Sequence, residues 1–255
     1  MIDKKIKAIL FDLDGTLYRG KTPIDGAAET IVELRKRGYK VLFLTNSATK
    51  SRSSLCTKLV GMGFDPKKSE VYSSAYLLAK YLQKNHKGKT VYAIGESGIM
   101  EELNEANIPL SNTPQIVAIG LDRNFNYDKL CIAHLALEKG AIFLATNKDH
   151  TYPVENGSLP GCGSLVASIE FASEKKAYIL GKPSTHFMEL IEAEQNLKKE
   201  EILMVGDRLD TDIAFAKNSG IKSALVLSGT AKASHIGAIK PDYVFDSVAS
   251  LLSNL

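Results

Sequence analysis

Two aspartates follow a short apolar run near the start of the chain. Residues 6–11 read as a buried strand interrupted only by Lys7, and Asp12 and Asp14 come directly after it. An unpaired charge is costly to bury, so these carboxylates need a metal ion, a cationic partner or a strand end that opens to solvent. Residues two apart on an extended strand point to the same side, which would let both carboxylates face one ion.

Three more polar clusters follow apolar runs later in the chain. Taken alone, each has an ordinary structural explanation, because aspartate, asparagine, serine and threonine favour turns and helix caps. A lysine before a proline is likewise most often a solvated residue at a helix start. The occurrence of all four clusters, in this order, on four strand ends argues against coincidence. The three later clusters are Thr45-Asn46-Ser47, Gly181-Lys182, and Gly206-Asp207 continuing to Thr211-Asp212.

The combined composition of the four clusters indicates a site for a cation and an anion together. Carboxylates without histidine or cysteine suit a hard, oxygen-seeking ion such as Mg2+. A lysine and free backbone amides suit an anion, most naturally phosphate. A bound Mg2+ ion would also compensate the two aspartates at the end of the first strand.

The elements that must position these residues alternate between strands and amphipathic helices, which predicts an α/β fold with a parallel sheet and helices on both faces. The carboxyl ends of parallel strands line the crevice where ligands bind. If the strands before the four clusters are neighbours, the clusters meet at one edge. The predicted strands are 6–11, 39–44, 70–72, 90–94, 116–121, 141–145, 178–180, 202–205, 223–227 and 243–245, and the predicted helices are 25–37, 51–62, 75–83, 96–106, 127–138, 185–197 and one that ends at 218.

Bulk composition excludes several classes of protein. The chain has 255 residues, 44% of them hydrophobic, and a formal net charge of +3, which gives no basic footprint of a nucleic-acid binder. No apolar run approaches the ~20 residues of a membrane span, and the start of the chain does not resemble a signal peptide. The odd set of Cys56, Cys131 and Cys162 has no metal-ligand spacing. We therefore expect a cytoplasmic protein with no nucleic-acid or membrane partner.

The four clusters, in this order, resemble the four motifs of the haloacid dehalogenase (HAD) superfamily of phosphohydrolases. The resemblance covers essentially the whole chain and implies a Rossmann-like parallel-sheet core with an inserted α/β cap domain of the type-two class. It places the core at residues 1–74 and 178–255 and the cap at 75–177. Three stretches resemble the p-nitrophenyl phosphatase and phosphoglycolate phosphatase-like branch: residues 146–149, Pro153 and residues 159–165.

The resemblance also implies a role for each motif residue. Asp12 is the nucleophile and Asp14 the general acid and base. Asp12, the Asp14 carbonyl and Asp207 hold Mg2+, while Asp212 holds a water of that ion. The residues implied to contact the phosphoryl group are Thr45, Asn46, Ser47 and Lys182. Ser47 departs from the branch, which usually has a second asparagine there, so its substrate contacts differ from the pattern.

The favoured hypothesis is Mg2+-dependent hydrolysis of a small phosphorylated metabolite through an aspartyl-phosphate intermediate. Two alternatives stay open: a phosphotransferase or mutase that passes the phosphoryl group to another acceptor, and a non-catalytic regulator that binds a phosphometabolite. In the cap, Asn147, Asp149 and His150 either reach the leaving group or form an ordinary surface loop. Cap surfaces in this branch can pair, so a homodimer is also open.

Overall fold

The computed structural model describes residues 1–154 and 157–255. It divides into two compact units. The first comprises Met1–Thr45, Cys56–Tyr72 and Lys182–Leu255, and the second comprises Asn46–Leu55 and Ser73–Gly181. The segment Asn46–Leu55 lies in the second unit, whereas the sequence-based division placed it in the core.

The described helices and strands alternate through most of the chain as the sequence predicts, and two short hairpins that were not predicted interrupt the pattern. The strands are β1 (Ala8–Asp12), β2 (Tyr18–Arg19), β3 (Thr22–Pro23), β4 (Lys40–Thr45), β5 (Val71–Ser73), β6 (Val91–Ile94), β7 (Ile116–Ile119), β8 (Ile142–Ala145), β9 (Thr151–Val154), β10 (Gly157–Pro160), β11 (Tyr178–Ile179), β12 (Ile202–Gly206), β13 (Lys222–Val226) and β14 (Tyr243–Phe245). The helices are α1 (Ala27–Lys36), α2 (Arg52–Val60), α3 (Ser74–Asn85), α4 (Ser97–Glu105), α5 (Tyr127–Glu138), α6 (Cys162–Ser173), α7 (His186–Gln195) and α8 (Ala214–Ser219). Among the described residues, no helix is both long enough and apolar enough to cross a membrane.

The sheet of the first unit places β1 at its centre. Its strand order is β14-β13-β12-β1-β4-β5, and β1 pairs in parallel with both β12 and β4. Every residue of β1 is buried, as a central strand of a parallel sheet requires. Its apolar residues supply that burial, and the chain turns polar only where the strand ends at Asp12. The predicted α/β class with a parallel sheet is confirmed.

Three of the four strands that lead into polar clusters are neighbours, namely β12, β1 and β4. The fourth strand, which precedes Lys182, is not a neighbour of these three. Strand β11 pairs with β8 in the sheet of the second unit, and Lys182 is the first residue that returns to the first unit. Lys182 therefore reaches its place through the connection between β11 and α7, and not at the end of a neighbouring strand.

The second unit has a parallel sheet of its own in the order β11-β8-β7-β6. Buried side chains of β7 and β8, such as Val117 and Phe143, pack with Val166 and Ile169 of α6. A short antiparallel hairpin, β9-β10, precedes α6. This hairpin was not predicted, because each of its strands has only four residues and contains a proline, which argues against a strand.

The helix predicted to end at residue 218 begins differently from a regular α-helix. Residues Leu209–Ile213 form a single π-helical turn, and α8 continues from it to Ser219, with Gly220 beyond its end at a φ of 72°. Isolated π-helical turns often occur at functional sites. Here the turn carries Asp212, one of the predicted site residues.

Candidate active site

Three carboxylates of the first unit converge at the carboxyl end of its central strands. Asp12 ends β1, Asp207 follows β12, and Asp212 lies in the π-helical turn. Each offers an oxygen, and these oxygens all lie within 4.8 Å of one another. All three residues are buried. Like charges this close repel one another in a protein interior unless a cation compensates them or one carboxyl keeps its proton.

Lys182 supplies one such cation. Its Nζ lies 2.6 Å from Asp12 Oδ1 and 2.6 Å from Asp212 Oδ1, and the residue is only 2% exposed. Burial lowers the pKa of Lys182, but the charges of the two carboxylates outweigh it and raise that pKa above its usual value. The lysine is therefore a fixed positive charge between two carboxylates.

The two carboxylate oxygens of Asp207 differ in their hydrogen bonding. Its Oδ2 accepts a hydrogen bond from the Thr230 amide at 2.6 Å. Its Oδ1 is buried and has no hydrogen-bond partner among the residues that the structure describes. Burial raises the pKa of Asp207 to about 6, and the charge of Asp212 contributes in the same direction. A carboxylate in this state is stabilised by a bound cation.

Glycines make room for these carboxylates. A Cβ at Gly15 or Gly229 would meet the Asp207 carboxylate, and a Cβ at Gly206 would meet that of Asp212. Asp212 is fixed further, because its Oδ2 accepts a hydrogen bond from the Arg208 amide at 3.0 Å while Oδ1 takes Lys182.

The donor set fits Mg2+. It consists of carboxylate oxygens with no nitrogen or sulfur ligand in the group, which is the chemistry that hard divalent cations prefer. The unpartnered Oδ1 of Asp207 is the atom that such an ion would satisfy. Asp12 and Asp207 are the residues that would hold it. The predicted contributions of the Asp14 carbonyl and of Asp212 stay predictions.

The side chain of Asp14 makes its hydrogen bond to a residue outside this carboxylate cluster. Its Oδ2 accepts a hydrogen bond from the Tyr18 hydroxyl at 3.2 Å. Burial raises the pKa of Asp14, while the charge of Lys58 and the Tyr18 hydrogen bond lower it in part. A carboxyl that keeps its proton to higher pH than an ordinary aspartate suits a general acid. Burial also raises the pKa of Tyr18, so its hydroxyl is the donor.

The second cluster is divided between the two units. Thr45 is the last residue of β4 in the first unit, whereas Asn46 and Ser47 begin a segment of the second. The Asn46 carbonyl accepts hydrogen bonds from Ser74 Oγ at 2.5 Å and from Asn147 Nδ2 at 2.8 Å. Ser47 Oγ lies 3.0 Å from Thr49 Oγ1.

The loop after β8 is tied to Asn46 within the second unit. Asn46 Nδ2 lies 3.3 Å from Asp149 Oδ1, and the Asp149 amide donates to Asn147 Oδ1 at 3.0 Å. Asn147 is buried. Within this loop, Asn147 and Asp149 form a hydrogen-bonded network with Asn46. The side chain of His150 is exposed.

The glycines before α6 serve this network. The Gly161 and Gly163 amides donate to the carbonyls of His150 and Asp149 at 2.7 and 2.9 Å. A Cβ at either glycine would collide with the backbone of residues 148–150. The tight turn predicted here is therefore a close approach of two backbone segments.

Two groups of site residues are absent from the sequence-based set. One is Tyr18, because an aromatic residue after a D-x-D-G run has no general chemical meaning. The other is Ser228 to Thr230, which follows β13, the neighbour of β12. The sequence does indicate this second group, because small polar residues follow a predicted strand and the carboxyl ends of parallel strands line the ligand-binding crevice.

The fold and the site define a class of enzyme in which a carboxylate at the end of a central parallel strand works beside a bound cation and a fixed lysine. Residues 9–109 match the haloacid dehalogenase-like hydrolases, and residues 179–251 match a second HAD-hydrolase-like family. The chain belongs to the haloacid dehalogenase-like hydrolases.

Named relatives give the enzyme class. The chain is 37% identical to an acid sugar phosphatase of Staphylococcus epidermidis, over 99% of each chain. It is 35% identical to the 4-nitrophenylphosphatase of Schizosaccharomyces pombe, over 97% of this chain and 93% of that one. The crystal structure of a 4-nitrophenylphosphatase from Thermotoga maritima has a TM-score of 0.94 at 29% identity, covering 98% of this chain and 97% of that chain. The chain is accordingly a phosphatase.

Proposed function

We propose that this phosphatase hydrolyses small phosphomonoesters with Mg2+ through an aspartyl-phosphate on Asp12. The observation that carries the proposal is the charge arrangement around that residue. Lys182 pairs with Asp12, and Asp207, in the same carboxylate cluster, has an unpartnered oxygen that can bind a cation. Neutralised in this way, Asp12 can approach an anionic phosphate ester.

In the first step, an oxygen of Asp12 bonds to phosphorus and the ester P–O bond breaks. The electron pair of that bond stays on the leaving oxygen, which takes a proton from the Asp14 carboxyl. Lys182 offsets negative charge throughout, and Thr45 with the Asn46 amide orients the phosphoryl group. When bound, Mg2+ supplies further positive charge to the phosphoryl oxygens.

In the second step, Asp14 is a carboxylate and acts as the base. It takes a proton from water, whose oxygen bonds to phosphorus. The bond between phosphorus and Asp12 breaks, its electron pair returns to the Asp12 carboxylate, and inorganic phosphate leaves. Both aspartates are then restored to their starting states.

The proposed substrate is a small phosphorylated metabolite. The relatives named above act on sugar phosphates or 4-nitrophenyl phosphate, and a 34% identical relative from Arabidopsis thaliana is a phosphoglycolate phosphatase. We propose the cytoplasm as its location. A homodimer is a further proposal, which the molar mass from light scattering after gel filtration would test.

The test replaces Asp12 by Asn and measures p-nitrophenyl phosphate hydrolysis with Mg2+ and with excess EDTA. We expect activity to disappear in the variant and in EDTA, while the circular dichroism spectrum stays that of the wild type. The matched control is Asp210→Asn, because Asp210 is 61% exposed and pairs with Arg208 outside the cluster. Full activity of the Asp12 variant would refute the proposal. Added glycerol should capture little of the phosphoryl group; predominant transfer would identify a phosphotransferase instead.

A further inference from the structure

A buried tyrosine faces the general acid, and no motif accounts for it. Resting on the function proposed above, we propose that Tyr18, held in place by Lys58, is a positioning residue that orients the Asp14 carboxyl for proton transfer. It would act through Asp14, without touching the substrate.

The backbone brings Tyr18 back to Asp14 independently of the hydroxyl. The Gly15 amide donates to the Tyr18 carbonyl at 2.7 Å, and the Leu17 amide donates to the Leu13 carbonyl at 2.9 Å. These bonds close a tight turn from Leu13 to Tyr18. Removal of the Tyr18 hydroxyl leaves each of them intact, so the turn survives in a phenylalanine variant.

The ring is held from its face as well as by its backbone. Tyr18 is 1% exposed, and the Lys58 Nζ lies 3.7 Å from the centre of its ring. A cation over an aromatic face is attracted by the ring quadrupole, more strongly when the pair is desolvated. Lys58 belongs to α2 and to the same unit as Tyr18. The contact therefore fixes the plane in which the hydroxyl lies.

The hydroxyl in turn fixes one oxygen of the acid. It donates to Asp14 Oδ2 at 3.2 Å. With Oδ2 occupied as an acceptor, the carboxyl has one orientation, and Oδ1 is the oxygen left to carry the transferred proton. Correct orientation of an acid is a large part of its contribution to rate.

The opposing explanation is that a buried tyrosine simply needs a partner for its hydroxyl. The chain offers a matched example in Tyr72, which is also 1% exposed, belongs to the same unit and donates to Glu194 Oε2 at 3.2 Å. The two residues face different carboxylates, and the Tyr72 hydroxyl also accepts a hydrogen bond from Gln195 Nε2 at 2.7 Å. Tyr72→Phe is therefore the control for the loss of a buried hydroxyl.

The experiment compares kcat/KM for p-nitrophenyl phosphate and for glycerol 3-phosphate, because kcat/KM reports on the steps up to cleavage of the ester bond. p-Nitrophenolate leaves without help from an acid, whereas an alkoxide must be protonated. In Tyr18→Phe we expect the value for glycerol 3-phosphate to fall at least about tenfold further than that for p-nitrophenyl phosphate. In Tyr72→Phe the ratio should stay that of the wild type.

A double-mutant cycle adds a readout that a structural role would not move. In an Asp14→Asn background the orientation of an acid no longer matters, so Tyr18→Phe should then change kcat/KM by less than about twofold. Equal losses on both substrates, or an undiminished loss in the Asp14→Asn background, would overturn the inference. A wild type that hydrolyses neither ester overturns the proposed function itself, and the inference with it.

Lys58 provides a second variant should Tyr18→Phe fold poorly. Lys58→Met keeps the aliphatic stem but removes both the cation over the ring and the charge that acts on Asp14. We expect the same selective loss on glycerol 3-phosphate, and we expect Lys58→Met to cause no further loss in a Tyr18→Phe background if Lys58 acts through the tyrosine. Lys58→Arg restores a cation over the ring and should restore the wild-type ratio. A methionine variant with the wild-type ratio would contradict the role of Lys58.

Discussion

Lys182 determines the charge balance at the scale of single residues. Breaking a buried ion pair by removing one partner leaves an uncompensated charge, which typically costs roughly 3–5 kcal/mol. For Lys182→Met we expect lower stability of that order, because Asp12 and Asp212 then face each other without a cation. We also expect kcat to fall about 10²-fold or more. Urea denaturation and steady-state kinetics measure the two effects.

Lys7→Met is the control for Lys182→Met. Lys7 also pairs with a carboxylate, that of Glu201, but its side chain is 69% exposed, and exposed pairs contribute little. The stability and kcat of the Lys7→Met variant should stay close to those of the wild type. Equal losses in the two variants would mean that the buried position of Lys182 has no special role.

The cysteines offer a residue-scale prediction outside the site. Burial raises the pKa of the Cys162 thiol to about 12, whereas Cys56 and Cys131 are half-buried. Since the thiolate is the reactive form, Cys162 should react with Ellman's reagent only on unfolding. Two thiols should react in the native protein, and Cys162→Ala should remove the slow one. A native Cys162→Ala protein that loses a fast thiol would contradict this assignment.

At the scale of elements, the loop after β13 joins the two halves of the acidic site. Thr230 holds Asp207 by its amide, and Ser228 Oγ donates to the Gly15 carbonyl at 2.9 Å. Arg19 of the β2-β3 hairpin donates through Nε to the Ser228 carbonyl at 2.7 Å. The loop thus connects the turn after β1 with the aspartate after β12.

Gly229 tests whether this loop must approach Asp207 closely. A Cβ there would overlap the Asp207 carboxylate, which the Thr230 amide holds in place. For Gly229→Ala we expect the carboxylate to rotate, the rise in Tm on adding Mg2+ to shrink, and activity to fall about tenfold or more. Differential scanning fluorimetry with and without Mg2+ provides a readout that is independent of turnover.

Gly237→Ala is its matched control, because the nearest atom to a Cβ there is the His235 carbonyl oxygen at 3.9 Å. That variant should keep both the Mg2+ response and the activity. An undiminished Mg2+ response in Gly229→Ala would show that Asp207 is not needed in this orientation.

The elements that apolar pattern and turn residues define were predictable. Helix α5 and strand β14 have their predicted bounds, and β1, β4 and β12 are neighbours as expected. Strand β11 was misplaced because Tyr178 and Ile179 give no sign of which sheet they join. The β2-β3 hairpin has strands of two residues, too short for any periodicity. Tyr18 and Lys58 were missed because their contact depends on packing between distant segments.

At the scale of the whole molecule, the acidic site works against stability when no metal is bound. The pKa of Asp207 rises to about 6 on folding, so between its unfolded value and pH 6 the folded state binds more protons than the unfolded state. The contribution of Asp207 to the free energy of unfolding therefore falls as pH rises from about 4 to about 6.5. The effect for one buried carboxyl is on the order of 2–3 kcal/mol.

Other carboxyls titrate in the same range, and the pKa values of Glu170 and Asp242 are lowered instead. The effect of Asp207 is therefore isolated as the difference between the wild type and Asp207→Asn, measured by urea denaturation in EDTA at several pH values. We expect the asparagine variant to gain stability relative to the wild type as pH rises through this window, because it carries no charge to bury. Mg2+ should reverse the order at pH 7.5 by stabilising only the protein that retains Asp207. A stability difference that is constant with pH would show that folding does not raise the pKa of Asp207.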